Sequence, residues 1–578
     1  MYRISMNKTD ALMPIDSYVC GTSSQPLLGL TTGEMLNRIV EKYPDNEAIV
    51  SNFQGIRLTY REFLAEVEKV ARGLMALGIN KGDRVAIWAM NYAEWTIVQF
   101  ATAKIGAIMV NINPAYRPVE LDYALRQSEV KLILIQGRFK TSDYVGMFYE
   151  VCPEAYEARP GKISTEKFPF LKTAVFIGDI PYNGMYQWHE MIERGRSISP
   201  EELQERESSL AFDDPVNIQY TSGTTGYPKG VVLTHHGVVN NGYIIGNGMN
   251  LSEKDRMCIP VPFYHCFGMI LSNMACVTHG TTMVLPAPTF DAETVLKTIE
   301  KERCTAVHGV PTMFISELTH PNFEKYDLRS LRTGIMAGSP CPIETMKEVA
   351  EKMHMYEIVI VYGQTETSPG VTMTTTVDPL EKRVTTVGKV FPHTELKIID
   401  PNTDKLVSIG EIGEICARGY MAMKCYYNNP SASRQTKDMD GWIHTGDLGS
   451  FDEDGYLHIE GRLKDMVIRG GENIYPREIE EFLHTHPRIS DVYVIGVPDV
   501  TYGEELMARI KIMDGQTLTE EEVREFCTGR IARYKIPKYI GFVDSFPMSV
   551  TGKIQKFQMR KDAIVELGLE SATQIKTA

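Results

Sequence analysis

Ile358-Val359-Ile360-Val361-Tyr362-Gly363-Gln364-Thr365-Glu366 is an apolar run that passes without a spacer into a polar, glycine-opened turn. So short a run, rich in β-branched residues, reads as a strand covered on both faces. Residues 305–310 and 333–337 repeat the texture, ending in His308-Gly309 and Gly338-Ser339. In open α/β sheets, ligands sit beyond the carboxyl ends of the strands. The three strand ends therefore predict one shared crevice.

Moving outward, the first third alternates helix and strand signals. Thr59 and Glu62 form a capping box ahead of a helix with Phe63, Val67, Val70, Ala71 and Leu74 on its apolar face, and Gly78 stops it. Residues 84–88, 107–110 and 131–135 read as strands; Asn91 with Glu94 predicts the cap of one intervening helix, and residues 119–126 a second. Such alternation implies largely parallel sheets layered with helices, an α/β fold. After about residue 380 the texture changes to short strands and glycine turns, such as Gly410-Glu411-Ile412-Gly413-Glu414. A boundary is expected near Gly461-Arg462-Leu463-Lys464, dividing residues 1–463 from a unit of ordinary domain size at 464–578.

Composition narrows the function classes. With 578 residues the chain exceeds one ordinary core, and 43% hydrophobic with 23% charged residues suits a globular protein. A net charge of −14 argues against nucleic acid as a partner. No apolar run spans a bilayer: residues 95–111 are interrupted by Gln99 and Lys104. Residues 1–13 lack an apolar stretch and carry Asp10, so they do not read as a secretory signal, and the cytoplasm is the expected location. The ten cysteines are scattered and read as reduced, mostly buried thiols. One segment opposes the charge balance: residues 530–561 carry eight basic side chains and one acid, Asp544. It reads either as a solvated face or as a lid that meets a polyanion.

The strongest chemical signal is Tyr220-Thr221-Ser222-Gly223-Thr224-Thr225-Gly226-Tyr227-Pro228-Lys229-Gly230. Glycines let the backbone approach a phosphate, hydroxyls and N–H groups donate to it, and Lys229 adds charge. The Gly and Lys spacing is not that of a Walker A loop, nor does Ser222 sit on a Gly-x-Ser-x-Gly elbow. Alone, the loop supports nucleotide binding.

Three further stretches carry a resemblance: residues 465–476 (Asp465-Met466-Val467-Ile468-Arg469-Gly470-Gly471-Glu472-Asn473-Ile474-Tyr475-Pro476), residues 535–539 (Lys535-Ile536-Pro537-Lys538-Tyr539) and residues 549–556 (Ser549-Val550-Thr551-Gly552-Lys553-Ile554-Gln555-Lys556). With the phosphate loop, they make the chain resemble the adenylate-forming superfamily over residues 30–560. That superfamily holds acyl-CoA synthetases, peptide-synthetase adenylation domains and beetle luciferases; the likeness is strongest to the medium-chain acyl-CoA synthetases. The resemblance implies a large N-terminal domain with a distorted β-barrel and a small, mobile α+β lid.

It also implies residue roles. Thr221, Ser222, Gly223, Thr224, Thr225, Gly226 and Lys229 would hold the ATP phosphates. Gly338, Ser339 and Pro340 would pack on adenine, followed by Tyr362, Gly363, Gln364 and Thr365, with Tyr362 stacked on the base. Glu366 would bind Mg²⁺, as a hard oxygen ligand suits. Asp447 would grip the ribose with help from Arg462. Lys553 would supply positive charge as a carboxylate attacks the α-phosphate, where two anions meet. Thr225, Glu366 and His265 are counted with it as catalytic. Lys464 would be the hinge of a rotating lid, and Arg469, Gly470, Gly471 and Glu472 would line the coenzyme A tunnel. The basic 530–561 segment would close on ATP and flank coenzyme A.

For the acyl pocket the resemblance points to His265, Cys266, Val310, Ala337, Gly363 and Gly388. These segments hold no obvious cation for a second carboxylate, so a monocarboxylic acid is favoured, with Lys424 and Arg383 as the side chains that would change that. The implied activity is an ATP-dependent acid–coenzyme A ligase using Mg²⁺ and acting on a medium-chain or similar acid. Branched, alicyclic or aromatic acids, carrier-protein loading, a luciferase-like oxidation and a homodimer stay open.

Overall fold

The computed structural model describes residues 16–139, 142–221, 228–339, 341–469, 472–499, 502–531, 533–548 and 554–570. Two large sheets form the body. The eight-stranded sheet runs Met185–Gln187, Thr173–Phe176, Leu132–Ile135, Arg84–Trp88, Ile108–Asn111, Pro215–Thr221, Lys229–Thr234, Cys425–Tyr426. It is parallel as far as Pro215–Thr221 and antiparallel beyond. The nine-stranded sheet places Glu357–Gly363, Thr333–Met336, Ala306–Val307, Arg256–Cys258, Thr282–Leu285 and Glu47–Ser51 side by side and parallel. The three strand ends singled out in the sequence thus emerge at one edge.

Local chemistry explains most elements. The Thr59 and Glu62 capping box starts helix Tyr60–Ala76, and Gly78 follows it at φ +82°. Helix Ala93–Lys104 departs from expectation: its cap is Tyr92, with no side-chain bond. Asn91 is instead buried, donating to the Val261 carbonyl at 2.8 Å and accepting the Phe263 N–H at 2.9 Å. Two otherwise unsatisfied backbone groups outbid the cap, and they anchor the segment that leads to His265. That apolar helix is buried almost all round; Lys104 is kept inside by Glu207, 2.8 Å away. Among the described residues no helix is long and apolar enough to cross a membrane.

The expected barrel takes the form of an open antiparallel sheet: Tyr18–Cys20, Thr394–Ile399, Gly413–Gly419, Ile443–Phe451, Leu457–Arg462. Among the described residues its two edge strands do not pair with each other, so no closed barrel forms. Beyond it, strands Val467–Arg469, Glu472–Ile474, Ile489–Asp499, Gly503–Ile512 and Tyr539–Phe542 build a separate sheet. Helices Pro476–His484 and Glu520–Cys527 help form its own apolar core, which includes Ile479, Leu483, Val494, Leu506 and Val523.

Candidate active site

The phosphate loop is a hairpin connection. Strands Pro215–Thr221 and Lys229–Thr234 pair antiparallel, with Thr221 directly opposite Lys229. Ser222, Gly223, Thr224, Thr225 and Gly226 lie outside the described residues, as do Pro340, Gly470, Gly471 and Lys553.

The two ends of that hairpin open into a cleft of about 270 Å³, lined also by Gln364, Glu366, Glu414, Tyr426, His444 and Gly446. Glu366 is nearly buried. Its Oε1 accepts the Tyr426 hydroxyl at 2.7 Å and the Thr221 hydroxyl at 3.5 Å. Burial, reinforced by the Glu366 charge, raises the Tyr426 pKa, so that phenol stays a donor. Lys229 stands over the Tyr426 ring, its Nζ 4.8 Å from the centroid. Oε2 of Glu366 hydrogen-bonds to no described side chain. A carboxylate held by one oxygen, beside hydroxyls and a lysine, fits a hard cation such as Mg²⁺ that keeps its water and phosphate ligands.

Asp447 meets Arg462, as expected, and also Tyr362, which was expected only to stack on the base. The Tyr362 hydroxyl donates to Oδ2 at 2.9 Å, and Arg462 Nε lies 3.3 Å from Oδ1, across the register pair Asp447↔Arg462. Burial, then the Asp447 charge, holds the Tyr362 phenol well above its ordinary pKa. Tyr362 comes from the nine-stranded sheet and Asp447 from the five-stranded one, so this bond ties two layers at the cleft.

The turn before Asp447 is clamped by Glu414, which in the sequence is only one residue of a glycine turn. Its Oε1 accepts the Gly446 N–H and its Oε2 the His444 Nδ1–H, both at 3.1 Å. Cys416 Sγ also lies 3.6 Å from that Nδ1. Bonding to Cys416 and then Glu414 raises the His444 pKa from 6.5 to about 10. Tyr426 and Glu414 were missed because their partners, Glu366 and His444, lie 60 and 30 positions away.

The acyl-pocket residues are only partly gathered. Cys266 Sγ reaches Thr365 Oγ1 at 3.8 Å, bringing the 263–269 segment to the 363–366 turn. His265 Nδ1 accepts the Phe267 N–H at 3.2 Å, which leaves Nε2 as the protonated nitrogen of the neutral ring. Val310, Ala337 and Gly338 are neighbours: the Ala337 N–H donates to Gly309, and a Cβ on Gly338 (φ +92°) would sit 3.1 Å from Val310 Cγ1. Gly363 abuts the next strand, where a Cβ would lie 1.8 Å from the Pro369 carbonyl. Gly388 packs on Met373, with a Cβ 1.9 Å from its backbone carbon.

One expectation changes, and the cations singled out in the sequence are accounted for. His308 is not in the crevice: it is fully buried, with Ser272 Oγ 3.0 Å from Nδ1 and Met249 Sδ 3.3 Å from Nε2, and burial lowers its pKa to about 3. Arg383 does not await a carboxylate, because its guanidinium donates to the carbonyls of Asp378, Tyr356 and Ile358. Lys424 is exposed. In the basic 530–561 segment, four of the eight cations are ion-paired within their own sheet-and-helix unit. There Lys535 meets Glu478, Lys538 meets Asp499, Lys556 meets Glu480 and Arg560 meets Glu504, at 2.6–2.7 Å. Arg469 is paired likewise, with Glu505 at 2.7 Å.

The hairpin ends at Thr221 and Lys229, the Glu366 carboxylate and the Gly446 turn that precedes the Asp447–Arg462 pair thus meet at one polar cleft, and comparison with known proteins gives the family. The chain belongs to the AMP-binding enzyme family, whose pattern matches residues 36–427, with the family's C-terminal domain at residues 478–553. It is 51% identical to the putative acyl-CoA synthetase YngI of Bacillus subtilis, over 94% of this chain and 99% of that one. It is 45% identical to the mitochondrial medium-chain acyl-CoA ligase ACSF2 of Danio rerio, over 96% and 91%. Among solved structures, the anthranilate CoA ligase AuaEII in complex with anthranoyl-AMP superposes with a TM-score of 0.80 at 28% identity, covering 94% of this chain and 99% of that one.

Proposed function

We propose that this enzyme activates a medium-chain or similarly apolar monocarboxylic acid and that its residues 464–578 act as a lid hinged at Lys464. The chain is an ATP-dependent acyl-CoA ligase, and ATP and coenzyme A are its substrates. The observation that carries the site reading is the convergence of Thr221, Lys229, Glu366 and Gly446 on one cleft, with Asp447 directly after Gly446.

The acid binds as a carboxylate beside His265, whose Nε2–H would donate to it rather than take a proton. One carboxylate oxygen attacks the α-phosphorus of ATP, the bond to pyrophosphate breaks, and an acyl-adenylate results. Lys229 and Lys553 supply fixed positive charge where the two anions meet. Mg²⁺, when bound with ATP, would be held by Glu366 and would neutralise phosphate charge. Asp447 accepts from the ribose hydroxyls, with its orientation held by Tyr362 and Arg462. The coenzyme A thiol, passing the loop at Arg469, Gly470, Gly471 and Glu472, then attacks the acyl carbon as a thiolate, and AMP leaves.

Two observations favour an apolar monocarboxylic acid. The cations near the acyl segments are engaged elsewhere or exposed, and the Danio relative is named for medium-chain substrates. A pyrophosphate-release screen over acids of graded length, with and without coenzyme A, tests this. A maximum at medium length with coenzyme A-dependent AMP release is expected; preference for a dicarboxylic or aromatic acid would refute the substrate reading. The cytoplasm is the proposed location; cell fractionation checks it, since the Danio relative is named mitochondrial.

A further inference from the structure

Glu414, Cys416 and His444 bring three different metal-binding chemistries together: a carboxylate oxygen, a sulfur and an imidazole nitrogen, all within 4.8 Å of one another. Among the described residues no other group of three or more His, Cys, Asp or Glu side chains does so. We propose that this trio is a binding site for a thiophilic divalent cation of the zinc class, set into the wall of the nucleotide cleft.

The distances are those of a tetrahedral edge. Zinc–sulfur bonds of about 2.3 Å and zinc–nitrogen or –oxygen bonds of about 2.0–2.1 Å place sulfur and nitrogen about 3.6 Å apart, and nitrogen and oxygen about 3.3 Å apart. The observed separations are 3.6 Å for Cys416 Sγ to His444 Nδ1 and 3.1 Å for His444 Nδ1 to Glu414 Oε2. The third edge, Cys416 sulfur to Glu414 oxygen, lies within 4.8 Å. The ligands are pre-oriented by the sheet: Cys416 and His444 are cross-strand partners, and Glu414 is held by the Gly446 N–H through its other oxygen. On its far side His444 Nε2 lies 3.9 Å from Asp438 Oδ2, beyond hydrogen-bond reach but close enough for charge attraction. Glu414 and His444 line the cleft, so a water can complete the fourth position. Magnesium, which demands oxygen ligands and octahedral geometry, is excluded by the sulfur and nitrogen donors.

Occupancy would put a dication on the cleft wall and inhibit the enzyme. That consequence rests on the proposed reading of the cleft as the ATP site; the binding itself does not.

Titration of the full-length protein with Co²⁺ tests the site. Sulfur-to-cobalt charge-transfer absorption with tetrahedral d–d bands is expected in the wild type. Cys416→Ser should lose the charge-transfer band, and His444→Gln should lose the tetrahedral bands. The serine variant is needed because Cys20 is exposed and Cys341 and Cys425 are half-buried. An unchanged charge-transfer spectrum in Cys416→Ser, or no tetrahedral spectrum in the wild type, overturns the proposal. If cobalt binding follows Cys416 but zinc leaves ATP-dependent pyrophosphate release untouched, the metal site stands and the reading of the cleft falls.

Discussion

Strands Ala306–Val307 and Glu357–Gly363 lie in the same parallel sheet and end in the same texture, yet one end is core and the other is cleft. Beyond the first, His308 is roofed by the helical segment Phe267–Met274, with the Phe267 ring 5.5 Å away and the Ser272 hydroxyl on Nδ1. Beyond the second, Glu366 meets Thr221 and Tyr426 from the other large sheet, and Tyr362 meets Asp447. The buried histidine is satisfied by neutral partners; the cleft carboxylates are faced by phenols and an arginine. What covers a strand end, not the strand itself, decides whether its polar residues do packing or chemistry.

Substitutions on the two sides should therefore fail differently. Asp447→Ala should be the most damaging. Loss of charge-assisted bonds worth about 1.5–3 kcal/mol each predicts a fall of roughly a hundredfold in kcat/KM for ATP, with little change in Tm. A large Tm loss with normal ATP kinetics would erase the contrast. His308→Ala should do the reverse, destabilising by about 2–3 kcal/mol through a cavity and a Ser272 hydroxyl with one partner fewer. Thermal unfolding checks the loss, and the KM for ATP should hold. Tyr426→Phe removes a single bond to Glu366 and should cost about tenfold in pyrophosphate release, read against unchanged acid specificity.

The smallest effect is the pH dependence of stability, which has opposite signs on the two sides. His308 has its pKa lowered to about 3, so its contribution is complete above 6.5 and is lost as pH falls from there. His444 has its pKa raised to about 10, so its contribution is complete below 6.5 and is lost as pH rises through 10. Tm measured across that range should flatten on the alkaline side in His444→Gln and on the acid side in His308→Leu. Equal slopes in wild type and both variants would show that neither ring titrates as described.

Much of this was legible in one dimension. The capping box at Thr59, the stop at Gly78 and the parallel strands depend on neighbours within a few residues. The phosphate loop and the Tyr362, Glu366, Asp447 and Arg462 positions are carried by contiguous motifs, so the family could be read without coordinates. The limits of that reading are equally specific. Asn91 has the spacing of a cap but serves the backbone of Val261 and Phe263, about 170 residues away. In the basic run at 530–561, Lys535, Lys538, Lys556 and Arg560 are matched by Glu478, Asp499, Glu480 and Glu504, acids too far away in sequence for the run itself to show them.

By itself, then, the sequence determined the alternating α/β order, the nucleotide chemistry and the ligase family, because each rests on short stretches whose residue types have few other uses. Tertiary structure alone decided which strand end is a cleft, which cations are already neutralised, and that Glu414, Cys416 and His444 share one point. Those outcomes depend on burial and on separations of a few ångströms between strands that no local pattern encodes.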